Sequence, residues 1–379
     1  MPVIILLTSG LYALLVALLY RHLLRLFGQP AGPLQGEPMV SVIIAIRNEA
    51  PHLIDCLESL AALDYPREKL EILLIDDGSS DGSSTLLGRF RDSHPWMQAI
   101  RLERDEKELP GKAGAVYRGI KSCRGEIIAM TDADCRVPPG WIRHLLAAFD
   151  ENVGLVGGFT FLESSSKENG RFEAVQALDW LFLLGVAAAA VHMGKPLSWM
   201  GNNMAFRRRA YEQVGGYPAL GHCLIEDFAL LNAISRRTGW RVRITAASET
   251  AVISLPVNSL SALYQQRRRW ALGIRQVRPF GKLLMVTSFL AHLGVAAALF
   301  CCLPAALAAL ALLLAGDLAV CRKMTRATGK TALLRHFPAF EFFYFSYNLF
   351  LPLLILLDRR IRWKDQSFPA HGKQSRGQV

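Results

Sequence analysis

Three things are missing from this chain of 379 residues, and each absence narrows what it does. Its seven cysteines (Cys56, Cys123, Cys135, Cys223, Cys301, Cys302 and Cys321) contain no C-x-x-C pair and no Cys/His spacing suited to a structural metal. Free thiols in a reducing cytoplasm are the reading that leaves. No internal repeat is visible. Acidic residues are scarce, 32 Asp and Glu against 43 Lys and Arg, for a formal net charge of +11. The surplus crowds beside apolar ends, which suits an anionic membrane surface or an anionic substrate, and no nucleic-acid partner is expected.

What is present in excess is hydrophobic residues, 51% of the chain, with a mean hydropathy of +0.23. The excess lies at the two ends. Met1–Tyr20 is nearly all apolar and is followed at once by Arg21, His22 and Arg25. A secretory signal carries its charge before the apolar run, so this stretch has the opposite polarity. It reads as an uncleaved membrane anchor (1–27) with its basic flank in the cytoplasm. A Gly/Pro linker follows at 28–38.

Residues 39–255 read as a water-facing α/β domain. Val40–Ile46 and Leu70–Ile75 are apolar strands, and Asn48–Leu63 reads as a helix between them. Short strands at Ala99–Leu102 and Ile127–Met130, a helix at Ala113–Ser122 and another at Trp141–Phe149 continue the alternation. Val153–Phe161 reads as a Gly-rich strand. Strands alternating with helices at this spacing imply a parallel sheet with right-handed crossovers. Leu178–Met193 is apolar enough to be a marginal span, broken by Asp179. Crossing there puts the two acidic clusters on opposite sides of a bilayer, so it reads as packed on the domain or lying at the membrane surface.

Residues 256–281 read as a basic interfacial helix carrying Gln265-Gln266-Arg267-Arg268-Arg269-Trp270. Residues 282–357 read as membrane helices. Leu283–Val320 is apolar for nearly forty residues around Pro304, so two spans joined by a tight turn. Phe337–Leu357 is either a further span or, given Glu341 and Pro352, a re-entrant or interfacial helix. The number of spans stays at three or four. Residues 358–379 form a basic cytoplasmic tail, disordered after Ser367.

The chemistry centres on Ile127–Asp134, where an apolar strand stops at two carboxylates, Asp132 and Asp134. Residues i and i+2 share one side of a strand, and open α/β sheets bind ligands beyond strand carboxyl ends. Two hard oxygen donors there suit Mg²⁺ or Mn²⁺ carrying a substrate diphosphate. The plainer alternative for an isolated pair is a solvated turn.

The motifs SVIIAIRNEA, DDGSSDGS, GKAGA, TDAD, GNNMAFRR, IED and QRRRW, in that order, resemble the inverting family-2 glycosyltransferases. The resemblance covers roughly Val40 to Trp270. It implies a GT-A, Rossmann-like nucleotide-sugar-binding domain of the α/β class, held between N-terminal and C-terminal transmembrane helices. It also implies residue roles. Ala45, Arg47 and Glu49 line the uridine side, and Asp77 accepts hydrogen bonds from base or ribose. Lys112 meets the donor diphosphate. Asp134 is the main metal ligand, with Asp132 on ribose or metal. Asp227 is the general base and Glu226 orients it. Asn202 and Asn203 belong to the acceptor side. Gln266, Arg269 and Trp270 form Q-x-x-R-W, with Arg269 on the diphosphate and Trp270 stacking on the acceptor or walling the site. Each has a plain alternative: a Gly turn for Asp76 and Asp77, a helix start for Lys112, Glu226 and Asp227, an ordinary interfacial helix for Arg269 and Trp270.

The implied activity is transfer of a sugar from a nucleotide-sugar, UDP-hexose favoured, to a lipid or lipid-linked acceptor. It is expected at the cytoplasmic face of a bacterial inner membrane. A processive polysaccharide synthase shares the motifs, but few spans make a self-contained pore hard to build. A catalytically inactive nucleotide- or lipid-binding scaffold is a third reading, opposed by the presence of Asp132, Asp134 and Asp227. A transporter is disfavoured by little intramembrane polarity beyond Glu341.

Overall fold

The computed structural model describes residues 2–28, 36–103, 107–163, 170–221, 225–271, 273, 276–357, 360–363 and 366–369. Most of the linker, Cys223 and the tail from 370 onward lie outside them.

The chain opens with α1 (Pro2–Leu26) and then alternates strand with helix: β1 (Val40–Ile46), α2 (Leu53–Ala61), β2 (Leu70–Asp76), α3 (Ser83–Ser93), β3 (Met97–Arg101), α4 (Gly111–Ser122) and β4 (Ile127–Met130). The four strands pair in parallel in the order β3-β2-β1-β4. β1, β2 and β4 are buried on both faces because helices cover both, and β3 is an edge strand with Gln98 and Arg101 exposed. Val42, Ile44 and Ile46 point into one core with α2, and Ile43 points into the other with α4. The chain steps outward through β2 and β3, then crosses back to lay β4 on the far side of β1. That reversal opens a crevice at the carboxyl ends of β1 and β4. The register sets the ends of β1 and β2 level, Ile46 opposite Asp76, while β4 stops at Met130 opposite Ile43, three residues short of the end of β1.

The helix expected from Asn48 starts only at Leu53. Residues 48–50 are instead laced to the loop after β2. Asn48, at φ 53°, accepts from Ser80 N at 2.8 Å, and its own N–H donates to Ser79 Oγ at 3.1 Å. Glu49 N donates to Ser83 Oγ at 2.9 Å, and Ala50 N to Asp81 Oδ2 at 3.0 Å. Local polar bonds have outbid the helix there.

Beyond β4 come α5 (Trp141–Leu146), β5 (Val153–Gly157) and β6 (Thr160–Leu162). The strand expected over 153–161 therefore breaks at Gly157-Gly158, where the Trp199 indole occupies the room a Cβ on Gly157 would need, 2.2 Å away. The next elements are α6 (Arg171–His192), β7 (Met204–Arg207), α7 (Arg208–Gln213), α8 (Gly216–Leu220), α9 (Glu226–Arg237), β8 (Arg241–Ile244) and β9 (Val252–Ser254). β7 runs antiparallel between β4 and β5, with Met204 beside Met130, so the turn before it arrives at the crevice. β6 and β9 form a separate parallel pair that leads the chain into α10 (Leu260–Ala271).

The chain then forms α11 (Pro279–Cys301), α12 (Leu303–Ala327) and α13 (Phe337–Leu357), and a hairpin of β10 (Arg360–Trp363) and β11 (Gln366–Pro369). The turn at Cys302 divides the long apolar stretch into two helices as expected, and Ser367–Pro369 is strand. Four described helices are long and apolar enough to cross a membrane: α1, α6, α11 and α12. They differ in burial. The apolar window of α6 is 78% buried, that of each other helix 33%. α6 packs on β6 and β8 below and on α1, α12 and α13 around it. It begins at Arg171, well before the apolar run. A helix apolar on every side is one packed on every side, which accounts for its hydropathy.

Candidate functional site

The crevice is a cleft of about 350 Å³. Much of its polar lining comes from the carboxyl ends of the parallel strands. Arg47, just past β1, donates from Nη1 to the carbonyl of Asp77 at 2.7 Å and faces the Asp77 carboxylate at 3.7 Å. Lys107 also pairs with Asp77. Asp76 serves the turn itself: it accepts from Ser79 N at 3.0 Å and from Ser84 Oγ at 2.5 Å. Ala45, Arg47, Glu49 and Asp77 all line the cleft.

Asp132 and Asp134 stand on the turn after β4 and both line it as well. Lys112, in the first turn of α4, bridges the acidic groups. Its Nζ is 2.6 Å from Asp132 Oδ1 and 3.1 Å from Glu226 Oε1. Burial opposes the charge on Lys112, but Asp132, Glu226 and Asp227 outweigh it and hold the ammonium's pKa well above the ordinary lysine value.

Glu226 and Asp227 open α9. The Asp227 carboxylate accepts the N–H of Gly201 at 2.5 Å and that of Phe228 at 2.7 Å. Gly201 permits the first contact, since a Cβ there would lie 3.0 Å from the same oxygen. Burial raises the Asp227 pKa, Glu226 raises it further, and Lys112 and the two N–H groups lower it; the balance is about 6. That is a carboxylate able to hold or release a proton near neutrality.

Apolar side chains also line the cleft: Leu162, Trp180, Met200, Leu255, Val257 and Trp270. Trp180 of α6 and Trp270 of α10 pack together with ring centroids 5.4 Å apart. Gln266 and Arg269 line the cleft with Trp270, residues 269 and 270 lying three and four positions after 266 on one helix face.

Twelve of the thirteen residues singled out besides Trp270 thus meet in one cleft: Ala45, Arg47, Glu49, Asp77, Lys112, Asp132, Asp134, Asn202, Glu226, Asp227, Gln266 and Arg269. Asn203 does not line it. Its Oδ1 accepts from Trp141 Nε1 at 2.9 Å, and its Nδ2 donates to Phe159 O and Thr250 O at 2.6 and 2.7 Å. Its side chain braces α5 and the segments that lead into β6 and β9. Asn202 accepts from Thr160 Oγ1 at 2.9 Å at the cleft wall. Sequence reasoning passed over the apolar lining, Trp180 and Met200 above all. The one signal was Asp179, a charge beside Trp180 inside an apolar run.

Asp132 and Asp134 fit a hard divalent cation. Among the described residues no group of three or more His, Cys, Asp or Glu side chains could hold a metal. One oxygen of the pair is already held, Asp132 Oδ1 by the Lys112 ammonium at 2.6 Å.

The chain resembles a mannosyltransferase from Pyrobaculum calidifontis, solved with GDP-mannose and Mn²⁺. The TM-score is 0.60 at 24% identity, over 89% of this chain and 97% of that one. The shared architecture is the GT-A fold. Among sequences, it is 27% identical over 241 residues to a beta-monoglucosyldiacylglycerol synthase of Synechocystis, covering 62% of this chain and 48% of that protein. It is also 27% identical over 241 residues to a poly-beta-1,6-N-acetyl-D-glucosamine synthase of Staphylococcus aureus, covering 63% and 55%. The chain spans about half the length of the curated relatives it matches. The motif order pointed to a glycosyltransferase, and a glycosyltransferase family matches the chain from residue 2 to residue 375. This chain belongs to glycosyl transferase family 21.

Proposed function

We propose that the protein transfers a sugar from a nucleotide-sugar to a hydroxyl of a lipid or lipid-linked acceptor at a membrane surface, inverting the anomeric carbon. One observation carries this reading: Asp227 and the Asp132/Asp134 pair share a single cleft with Trp180 of α6 and Trp270 of α10, which pack together in its lining. A nucleoside diphosphate suits the charged groups, and an acceptor with an apolar body suits the indoles.

The chemistry follows from the side chains. Asp227, ionised, accepts the proton of the acceptor hydroxyl as that oxygen attacks C1 of the sugar. The C1–O bond to the diphosphate breaks on the opposite face, and its electron pair leaves with the nucleoside diphosphate. Inversion follows from a single displacement. The N–H groups of Gly201 and Phe228 hold Asp227 in place. Lys112 adds positive charge where Asp132 and Glu226 meet. Asp134 and Asp132 would hold Mg²⁺ or Mn²⁺, which neutralises charge on the departing diphosphate. Asp77 and Arg47 suit the base and ribose. Orientation toward the cytoplasm and a bacterial inner membrane fit the basic residues that end α1 and α12.

Similarity to the Staphylococcus aureus polymer synthase favours a second reading, repeated transfer to a growing glycan. Product length decides between them. The test is nucleoside-diphosphate release by the protein in lipid nanodiscs, with a panel of UDP- and GDP-sugars, with and without chelator. Release from one donor that depends on added lipid, stops with EDTA and returns with Mn²⁺ or Mg²⁺ is expected. Mass spectrometry of the lipid then shows one added sugar or many. No release from any donor sinks the proposal, and undiminished release in EDTA sinks its metal.

A further inference from the structure

Arg267 sits between Gln266 and Arg269, yet it does not line the cleft. Its guanidinium pairs with the carboxylate of Asp179 in α6, and the two side chains are 4% and 2% exposed. The same guanidinium lies 4.4 Å from the centroid of Trp270 and 5.7 Å from that of Tyr347 in α13. Trp270 rests on Trp180, the residue after Asp179, and both indoles face the cleft. Trp180 is itself tied down, donating from Nε1 to the carbonyl of Thr160 at 2.8 Å.

A buried ion pair is a poor device for stability, because desolvating two charges costs about what their attraction returns. It is a good device for direction. On α10, residues 266, 269 and 270 form one face, and residue 267 is turned about 100° from residue 266. Pinning residue 267 to α6 therefore fixes how far α10 is rotated. The cation also lies over the Trp270 ring, within reach of cation–π attraction.

We propose that Asp179 and Arg267 are positioning residues. Their ion pair sets the rotation of α10 so that Gln266, Arg269 and Trp270 present to donor and acceptor, with α6 as the reference surface. The proposal rests on reading the cleft as the donor–acceptor site.

The test uses the full chain in nanodiscs. The double variant Asp179→Leu/Arg267→Met removes both charges while keeping apolar bulk, and Asp179→Asn is nearly isosteric. Folding is followed by thermal midpoint, and KM for donor and for acceptor is measured apart from kcat. The double variant is expected to keep the wild-type midpoint and lose about 100-fold in kcat/KM, of which about tenfold is a rise in KM. A purely structural pair lowers the folded fraction, which reduces apparent kcat and leaves KM alone. Wild-type KM in whichever variant folds overturns the proposal. Failure of both variants to fold overturns it too, since the pair is then a brace.

If the wild-type chain releases no nucleoside diphosphate from any donor, the functional reading has failed separately. The same variants are then read by UDP and GDP affinity in Mn²⁺. The expected result is tenfold weaker binding, and unchanged affinity overturns the proposal.

Discussion

The N–H of Gly201 points at Oδ2 of Asp227 across 2.5 Å, joining the turn before β7 to the first turn of α9. The two residues are far apart in sequence and come from elements with no common local pattern. β7 enters the sheet antiparallel, so its leading turn reaches the same edge at which the parallel strands finish. The carboxylate proposed to take the acceptor's proton is aimed by that accident of strand direction.

The pKa of Asp227 makes the first prediction. A general base works ionised, and this one titrates at about 6 because burial and Glu226 outweigh Lys112 and two N–H donors. kcat/KM should be flat above pH 7 and fall tenfold per unit well below 6. Asp227→Asn should lose about 10²–10⁴-fold in rate and keep nucleotide affinity. A pH–rate profile with no acid limb, or an active Asp227→Asn protein, removes Asp227 from the role.

Lys112 lowers the Asp227 pKa. Replacing it with Met should therefore raise that pKa, moving the acid limb of the pH–rate profile to higher pH. Nucleoside diphosphate should also bind more weakly, with one positive charge fewer at the cleft. An acid limb that stays in place shows that Lys112 is not coupled to the base in the working enzyme.

Gly201→Ala tests the aiming of the base. The new Cβ would lie 2.9 Å from the Asp227 Cβ and 3.0 Å from Oδ2, so one of the two must move. Displacing a reacting group by this much costs about 100-fold in kcat, while the thermal midpoint should change little. Wild-type kcat in a folded Gly201→Ala protein means the Gly201–Asp227 contact does not position the base.

Asn202 and Asn203 should part company. Asn203→Ala strips hydrogen bonds from Trp141, Phe159 and Thr250 in a buried site, at about 1–3 kcal/mol for each group left unsatisfied. A lowered unfolding midpoint with unchanged KM is expected. Asn202→Ala, at the cleft wall, should instead move acceptor KM. Calorimetry and steady-state kinetics on the pair of variants separate the two, and a KM change in Asn203→Ala reverses the assignment.

Much of the polar lining of the cleft was legible in the chain. Parallel strands announce themselves as unbroken apolar runs, and their carboxyl ends as the first polar residues after them. Asp77, Asp132 and Asp134 can be placed from that alone. Q-x-x-R-W was marked by resemblance to a glycosyltransferase family, and residues 266, 269 and 270 do share one helix face. Local features settle the strand ends, since those depend on a period of two residues.

Tertiary structure decided the rest. Adjacent asparagines look alike in a string, but the antiparallel entry of β7 turned Asn202 to the cleft and Asn203 into the core. Hydropathy does not distinguish a helix bathed in lipid from one enclosed by protein, so only packing showed α6 to be surrounded. Its Asp179 then found Arg267 across 88 positions of chain. Residues that meet through the fold, rather than through neighbouring positions, leave no period to read.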